Sequence, residues 1–461
     1  MEQAPPLYRG SCLLPTHMID PQNIYCMSSL YDSSGIVFEY EGRVFRALYE
    51  RGVRIFELLS KENWIERLVK IGLVHIQRTN LQIPGYHGII EVERIRPIVP
   101  PSMWTTGMLM EAAIILCRLC NEILARDLLI WDLKGMSNMT FCAKRGPVFL
   151  DLGAFHTTRE VETNALSTSV GSLFDQIAGS FYVPLWLANS FFRNSHLLKR
   201  LLEYHKAGDQ GFNFTVALLR RLTLNWKLVP GLLKASRRLN AGQYRSFYSI
   251  INKKLEQWQA KDMSRRSNHS VAFELNNNNL EKELLKILLN GINRDSDKVY
   301  FDLYPKSGYG LKLAEHKNIA VYLVTADREQ AESFFALRRM NVKPFLPIFS
   351  DIWDRSFHSS LKLREGCDVV YILPDLFEIT ITHKVPMDFL GRVLSILTRR
   401  TAIVGIGKPR EKIDFPSFVS PPEIQGDPVE FVRSIMSKYF REHEVIQNLG
   451  SSKTTVLILN K

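Results

Sequence analysis

The sequence predicts an α/β protein with an open, mostly parallel sheet in its C-terminal half, and three observations predict it. After Leu280, short apolar runs alternate with helical segments, which is the pattern of strands buried on both faces. Four acidic residues, Asp302, Asp327, Asp351 and Asp375, stand at or just after the ends of such runs. Ligands of open parallel sheets sit beyond the carboxyl ends of the strands. The 461 residues, 46% hydrophobic and 23% charged, have ordinary globular composition and suffice for two or three domains.

The elements read as follows. VFEYEGRVFRALY predicts paired short strands, and ENWIERLVKIGLVHIQ a helix that turns extended. A buried helix spans roughly Thr106 to Ala125, apolar on most faces. LLIWDLKGMSNMTF and GPVFLDLGAF predict two short strands joined by a loop. Residues 160–262 are mostly helical and basic, and SRRSNHS with ELNNNN makes a linker. A helix, EKELLKILLNGI, then leads to the strands KVYFDLY, IAVYLVTAD, PFLPIFSDI, DVVYILPDL, TAIVGIG, HEVIQNL and TTVLILN. The expected division is an N-terminal α+β accessory domain (1–160), a basic helical segment (161–265) and a Rossmann-like domain (271–461).

The formal charge of +12 is concentrated. Between Phe191 and Ser270 there are 16 Lys and Arg against 4 Asp and Glu, an excess equal to the whole net charge. Residues 191–270 are therefore the expected contact for an anionic substrate or membrane surface, unless they are simply a solvated helical face. Few of the basic residues form dense clusters with interleaved aromatics, so nucleic acid is not the expected partner. No apolar run reaches the roughly 18 residues of a membrane span. The first twenty residues lack the basic and apolar regions of a secretory signal. The expectation is a cytoplasmic protein with reduced thiols. Cys117 and Cys120 form a CxxC inside a helical apolar pattern, which reads as core rather than as a metal or redox pair.

The stretch VYFDLYPKSGYG carries the first chemical signal. Asp302 ends a strand, and Gly308 and Gly310, lacking side chains, let the next turn approach a ligand. Asp327 follows the second strand, where an acid accepts hydrogen bonds from ribose hydroxyls, and Asp351 follows the third. The alternative for each aspartate is a helix N-cap or a turn. The second signal is WDLKGMSNMTF followed by FLDLGAF. Asp132, Asn138 and Asp151 are similar to the proton-accepting Asp and the Mg²⁺-holding Asn and Asp of kinases. The step from Asp132 to Asn138 is one residue too long, a Gly-rich phosphate loop is missing, and GRVFRALY is only an echo of the kinase lysine strand. The other reading is a β-hairpin whose Asp and Asn satisfy turn hydrogen bonds.

From about Gly42 onward the order of pieces resembles the S-adenosylmethionine-dependent methyltransferases related to the rhizobial nodulation protein NoeA. Their Asp-Leu-Gly-x-Asn-x-Gly turn is matched by Asp302, Leu303 and Gly308, followed by Tyr309, with Tyr304 and Lys306 in place of Gly and Asn. The ribose-binding acid falls on Thr325, with Asp327 two residues later. Asp351, Asp368, Val385, Pro386 and Lys408 agree, while Phe377 and Glu378 replace paired histidines. Upstream, Asn138, Phe141 and Asp151 match an N-terminal signature whose Asp falls on Leu133, one place after Asp132. Gln176, Phe181, Pro184 and Leu185 match a further segment. The resemblance implies a Rossmann-like class I methyltransferase sheet, preceded by an α+β, truncated kinase-like N-terminal domain that binds substrate, and by the basic helical segment. It implies S-adenosylmethionine as cofactor, with Asp302, Gly308, Tyr309, Asp327 and Asp351 around it. Glu378 is the candidate base, because a hydroxyl acceptor needs one nearby. The implied acceptor is a small molecule or an oligosaccharide in the making of a nodulation signal. Two other readings stay open: a kinase-like phosphotransferase using Asp132, Asn138 and Asp151, and a non-catalytic protein that retains the fold.

Overall fold

The computed structural model describes residues 17–27, 32–130, 138–157, 252–253, 256–257, 279–290, 298–316, 319–341, 344–351, 357, 367–373, 375–382, 385–407, 427–449 and 454–461. The N-terminal strands are β1 (His17–Met18), β2 (Tyr25–Cys26), β3 (Gly35–Tyr40), β4 (Arg43–Leu48), β5 (Ile76–Arg78), β6 (Leu81–Gln82) and β7 (Gly88–Val92). Helices α1 (Glu50–Ser60) and α2 (Trp64–Ile71) lie between β4 and β5. An antiparallel sheet has the order β2-β3-β4-β7-β5, and β1 pairs with β6. The β3–β4 hairpin turns on Glu41 and Gly42, both at positive φ (48° and 73°), the geometry that a two-residue turn between twisted strands requires.

Helix α3 (Thr106–Ile123) begins at Thr105, whose hydroxyl accepts the Met108 N–H at 3.2 Å. Cys117 and Cys120 are buried free thiols on it, and burial pushes the Cys117 thiol up. After α3 come β8 (Leu128–Ile130), β9 (Met139–Cys142), β10 (Gly146–Phe149) and β11 (Phe155–Thr157). The expected strand pair is refined here. LLIWDLKGMSNMTF holds two strands in separate ladders: β8 pairs with β11, and β9 forms the hairpin with β10.

The C-terminal half contains α4 (Asn279–Asn290), β12 (Lys298–Asp302), α5 (Tyr309–Leu313), β13 (Ile319–Thr325), α6 (Arg328–Asn341), β14 (Phe345–Phe349), β15 (Cys367–Ile372), α7 (Leu376–Thr382), α8 (Met387–Leu397), β16 (Thr398–Ile406), α9 (Pro428–Met436), β17 (Glu442–Leu449) and β18 (Thr454–Asn460). Its seven-stranded sheet has the order β14-β13-β12-β15-β16-β18-β17. β12 to β16 are mutually parallel, whereas β18 runs antiparallel to both β16 and β17. The sheet is therefore mixed. Residues 450–453 are too few for a crossover, which takes a dozen residues or more, so the last two strands close as a hairpin.

Side chains alternate across this sheet with period two. Val299, Phe301, Tyr322, Val324, Leu346, Val370 and Val404 face one hydrophobic core, while Tyr300, Val321, Leu323, Phe345 and Tyr371 face another. The first core is shared with the N-terminal half, including α3 and the β9–β10 hairpin. Phe141 meets Phe335 edge-on at 6.3 Å. The Tyr322 hydroxyl accepts the Ala143 N–H at 3.3 Å. Buried Asp368, on β15, takes both terminal nitrogens of Arg96 at 3.3 and 3.2 Å and the Val299 N–H at 3.0 Å. One pair of oxygens thus ties the N-terminal half to two central strands.

Candidate functional site at the carboxyl ends of the sheet

The chain leaves β12 outward to β13 and β14, then crosses back to β15 on the other side. The switch point therefore lies between β12 and β15, where open α/β sheets hold ligands. Asp302 is the last residue of β12 and is fully buried. Its Oδ1 accepts the Tyr304 N–H at 3.0 Å. Its Oδ2 accepts the Gly310 N–H at 3.2 Å and the Tyr371 hydroxyl at 3.0 Å. Burial pushes the carboxyl up to about 7, against the opposing effect of those three donors. Asp302 thus shapes the turn from inside.

Gly308 sits at φ 76°, in the left-handed region that suits glycine, and Tyr309 is buried at the start of α5. The closeness expected of Gly310 is toward the protein. A Cβ there would lie 2.4 Å from Leu323 Cδ2 and 2.8 Å from Asp302 Oδ2. Gly310 seals the carboxylate instead of opening the turn to a ligand.

Tyr304 stands two residues beyond β12, its ring packed against the larger core. Its hydroxyl donates to Glu378 Oε1. Glu378 is exposed, in the first turn of α7 just after β15. The pair spans the switch point, from the turn after β12 to the helix after β15.

The other strand-end acids divide by role. Asp327 caps α6: its Oδ1 accepts the Gln330 N–H at 3.1 Å. Its carboxylate is nevertheless exposed, beside Thr325, whose hydroxyl donates to Gln330 Oε1 at 2.7 Å. Asp351 is exposed two residues past β14. Asp375 accepts the Phe377 and Gly407 N–H groups at 3.0 and 3.2 Å, joining the start of α7 to the end of β16. Capping and turn closure therefore occupy Asp302, Asp327 and Asp375 at least in part.

In the N-terminal half, Asp151 follows β10 and accepts the Gly153 N–H at 2.8 Å. It also accepts from Arg46 Nη1 at 3.0 Å. Arg46 is buried on β4, and its Nη2 donates to Asp32 and, at 2.7 Å, to Ser34. Asn138 immediately precedes β9, its carbonyl accepting the Leu150 N–H at 2.8 Å. Asp132, Lys408, the segment around Gln176 and nearly all of residues 191–270 lie outside the described residues.

Three contributors escaped the sequence reading. Arg46 and Tyr371 each stand inside an apolar strand run, where a polar group needs a partner, and that was the available signal. Arg96, beside a proline, carried none. Two described grooves flank the edge strand β5, away from both strand-end clusters. One, about 430 Å³, is walled by His75, Gln77, Glu91, Glu93 and Arg145. The other, about 470 Å³, lies over Phe56, Lys61, Ile65 and Arg78. In the first, Glu91 is paired with Arg43 and Glu93 with Arg145.

No family model matches this chain, and no curated protein matches it. Among solved structures it is similar to the bifunctional kinase-methyltransferase WbdD, at 18% identity over 39% of this chain and 38% of that one, TM-score 0.29. EvdMO1 is similar at 10% identity, 39% and 40% coverage and TM-score 0.28. The match therefore spans about two fifths of the length of each of these two chains. An S-adenosylmethionine-dependent methyltransferase from Aquifex aeolicus is similar at 14% identity over 43% of this chain and 97% of its own, TM-score 0.29.

Proposed function

We propose that the protein is an S-adenosylmethionine-dependent methyltransferase. The observation that carries this reading is the Asp302 turn at the switch point of a sheet ordered 3-2-1-4-5-7-6 with its seventh strand reversed, the class I methyltransferase arrangement. The turn suits a cofactor because Asp302 satisfies its backbone from within and Gly308 holds the left-handed bend. The exposed Asp327 carboxylate, beside the next strand end, suits ribose hydroxyls. Asp351 lies beyond the third strand, and Tyr309 lines the start of α5. When bound, the cofactor supplies an activated methyl group. The chain's part is to orient an acceptor in line with it and to take the acceptor's proton. Glu378 is the residue we assign to that proton. The acceptor class is a hydroxyl of a small molecule or oligosaccharide, and the nodulation-signal chemistry implied by the resemblance is the first to try. Residues 191–270 supply the positive charge to steer an anionic substrate or membrane surface.

The phosphotransferase reading loses support at Asp151. Its carboxylate is engaged by the buried Arg46 guanidinium, which Asp32 also holds, so a cation already occupies one side of it. The experiment is a calorimetric titration of the whole chain with S-adenosylhomocysteine, with ATP and Mg²⁺ in parallel. Micromolar binding of the homocysteine product, abolished by Asp302→Ala and by Gly308→Trp, supports the methyltransferase. Heat with ATP and Mg²⁺ alone, lost in Asp151→Ala, replaces it with the kinase-like reading. No heat from either ligand leaves a fold without its cofactor.

A further inference from the structure

The Tyr304–Glu378 hydrogen bond is the feature at the switch point that the methyltransferase reading does not explain. It joins the turn after the first strand of the sheet to the helix after the fourth. It therefore lies across the crevice that a ligand must enter. It also engages the carboxylate that a hydroxyl acceptor would need. The Oε1 that accepts the phenol has that direction of approach taken until the donor leaves.

We propose that Tyr304 is a positioning residue that holds Glu378 across the crevice until the cofactor displaces it. The proposal rests on the methyltransferase reading. The Gly308 turn and Asp327 would hold the nucleoside part of the cofactor. Tyr304 would give way to the 5′ arm, its hydroxyl leaving Glu378. Glu378 is then free for the acceptor. The cofactor would supply the methyl group to the acceptor oxygen, its sulfur keeping the electron pair of the broken S–CH₃ bond, and Glu378 would take the acceptor's hydroxyl proton. No other reactant is required. Cofactor-first binding follows, since the base is engaged until the arm arrives.

Two features make such a bond suited to being broken. Glu378 is exposed on a short helix, so water can replace the phenol. The Asp302 turn does not depend on the Tyr304 side chain, because Asp302 takes only its backbone N–H. Moving the ring leaves the turn intact.

The test compares two probes that differ in the 5′ arm. Wild type and Tyr304→Phe are titrated with S-adenosylhomocysteine and with adenosine, with thermal unfolding of both proteins as a check. A bond that must open before binding weakens apparent affinity by the fraction of open protein. Removing this exposed hydrogen bond should therefore tighten S-adenosylhomocysteine up to about threefold. Adenosine affinity should change less than about 1.5-fold, because the proposal gives it no arm at Tyr304. Equal or weaker S-adenosylhomocysteine binding by Tyr304→Phe overturns the proposal, and weaker binding makes Tyr304 an anchor of the cofactor. Equal gains for both probes also overturn it, since the effect would then not follow the arm. If neither probe binds either protein, the methyltransferase reading itself falls, and the proposal with it.

Discussion

Asp302 and Asp151 stand in the same local setting. Asp302 ends an apolar strand and Asp151 follows one, each is followed by leucine, and each accepts the N–H of the residue two places on, Tyr304 or Gly153. Their surroundings separate them. Asp302 is fully buried among neutral donors, the Tyr371 hydroxyl and two backbone N–H groups, and burial raises it to about 7. Asp151 is partly exposed, and its charge meets Arg46. One turn is held by dipoles around a carboxyl whose charge is costly, the other by an ion pair. The same local motif thus yields a turn around a buried carboxyl raised by desolvation in one half of the molecule and a turn held by an ion pair in the other.

The largest expected effect tests the titration. Unfolded, Asp302 ionises near 3.8; folded, near 7. Between those values the folded state holds the proton more tightly, so this contribution to stability is fully present below about pH 4. It is lost as the pH rises through about 7, by on the order of 4 kcal/mol. Denaturant unfolding of wild type from pH 4 to 8, compared with Asp302→Asn, should show this slope in wild type and its loss in the variant. A matching slope in both would mean that Asp302 does not titrate in this range.

The second effect tests the ion pair. Arg46 is buried while Asp151 and Asp32 retain partial exposure. Arg46→Met should destabilise the protein by about 3 kcal/mol, because it leaves two carboxylates without their cation. Asp151→Asn, which keeps an acceptor for Gly153, should cost about 1 kcal/mol. If the two costs are alike, Arg46 acts mainly through Asp151, and Asp32 contributes little.

Much of this architecture is legible in the sequence because it follows from burial. The strand runs from KVYFDLY to TTVLILN lie where their apolar character puts them, and the buried α3 follows from apolar residues on most faces. The reversed final strand is not legible in apolar content, which is the same for parallel and antiparallel strands; only the short link at 450–453 argues for it. At the site, type and position of the aspartates could be read, but not their partners. Asp302 looked like a ligand contact and faces inward, since nothing near it in sequence announces Tyr371, 69 residues away. Asp327 and Asp375 could be read equally as caps, and both make capping bonds. Tyr304 could be seen as bulk in a turn that usually holds glycine, but its partner Glu378 is 74 residues distant.

The two turn glycines give a smaller, paired effect. A Cβ on Gly310 would press on Leu323 Cδ2 at 2.4 Å, within a packed core, and on Asp302 Oδ2 at 2.8 Å. A Cβ on Gly153 would meet the ends of flexible polar side chains, Arg46 Nη2 at 2.5 Å and Asp32 Oδ1 at 2.7 Å. Gly310→Ala should therefore cost about 2 kcal/mol, in the range of an overpacked core, and Gly153→Ala about half of that. Reversal of this order would show the Arg46 cluster to be the stiffer of the two.

The smallest effect falls on the residue that occupies the place of Gly153 in the C-terminal turn. Tyr304 gives Asp302 only its backbone N–H, which any residue but proline supplies. Its hydroxyl reaches an exposed carboxylate, where water substitutes readily. Tyr304→Phe keeps the ring against the core and should change stability by no more than about 0.5 kcal/mol, measured by denaturant unfolding at a pH above 7, where Asp302 is ionised in both states. A loss well beyond that would make the Tyr304–Glu378 bond a structural tie between β12 and α7, and a tie of that strength would not yield to an incoming ligand. A loss within that bound, together with a gain of up to about threefold for the ligand that carries the longer 5′ arm and none for adenosine, would separate the two turns fully: Asp151 serving the fold alone, and Asp302 holding still a backbone from which a mobile side chain works.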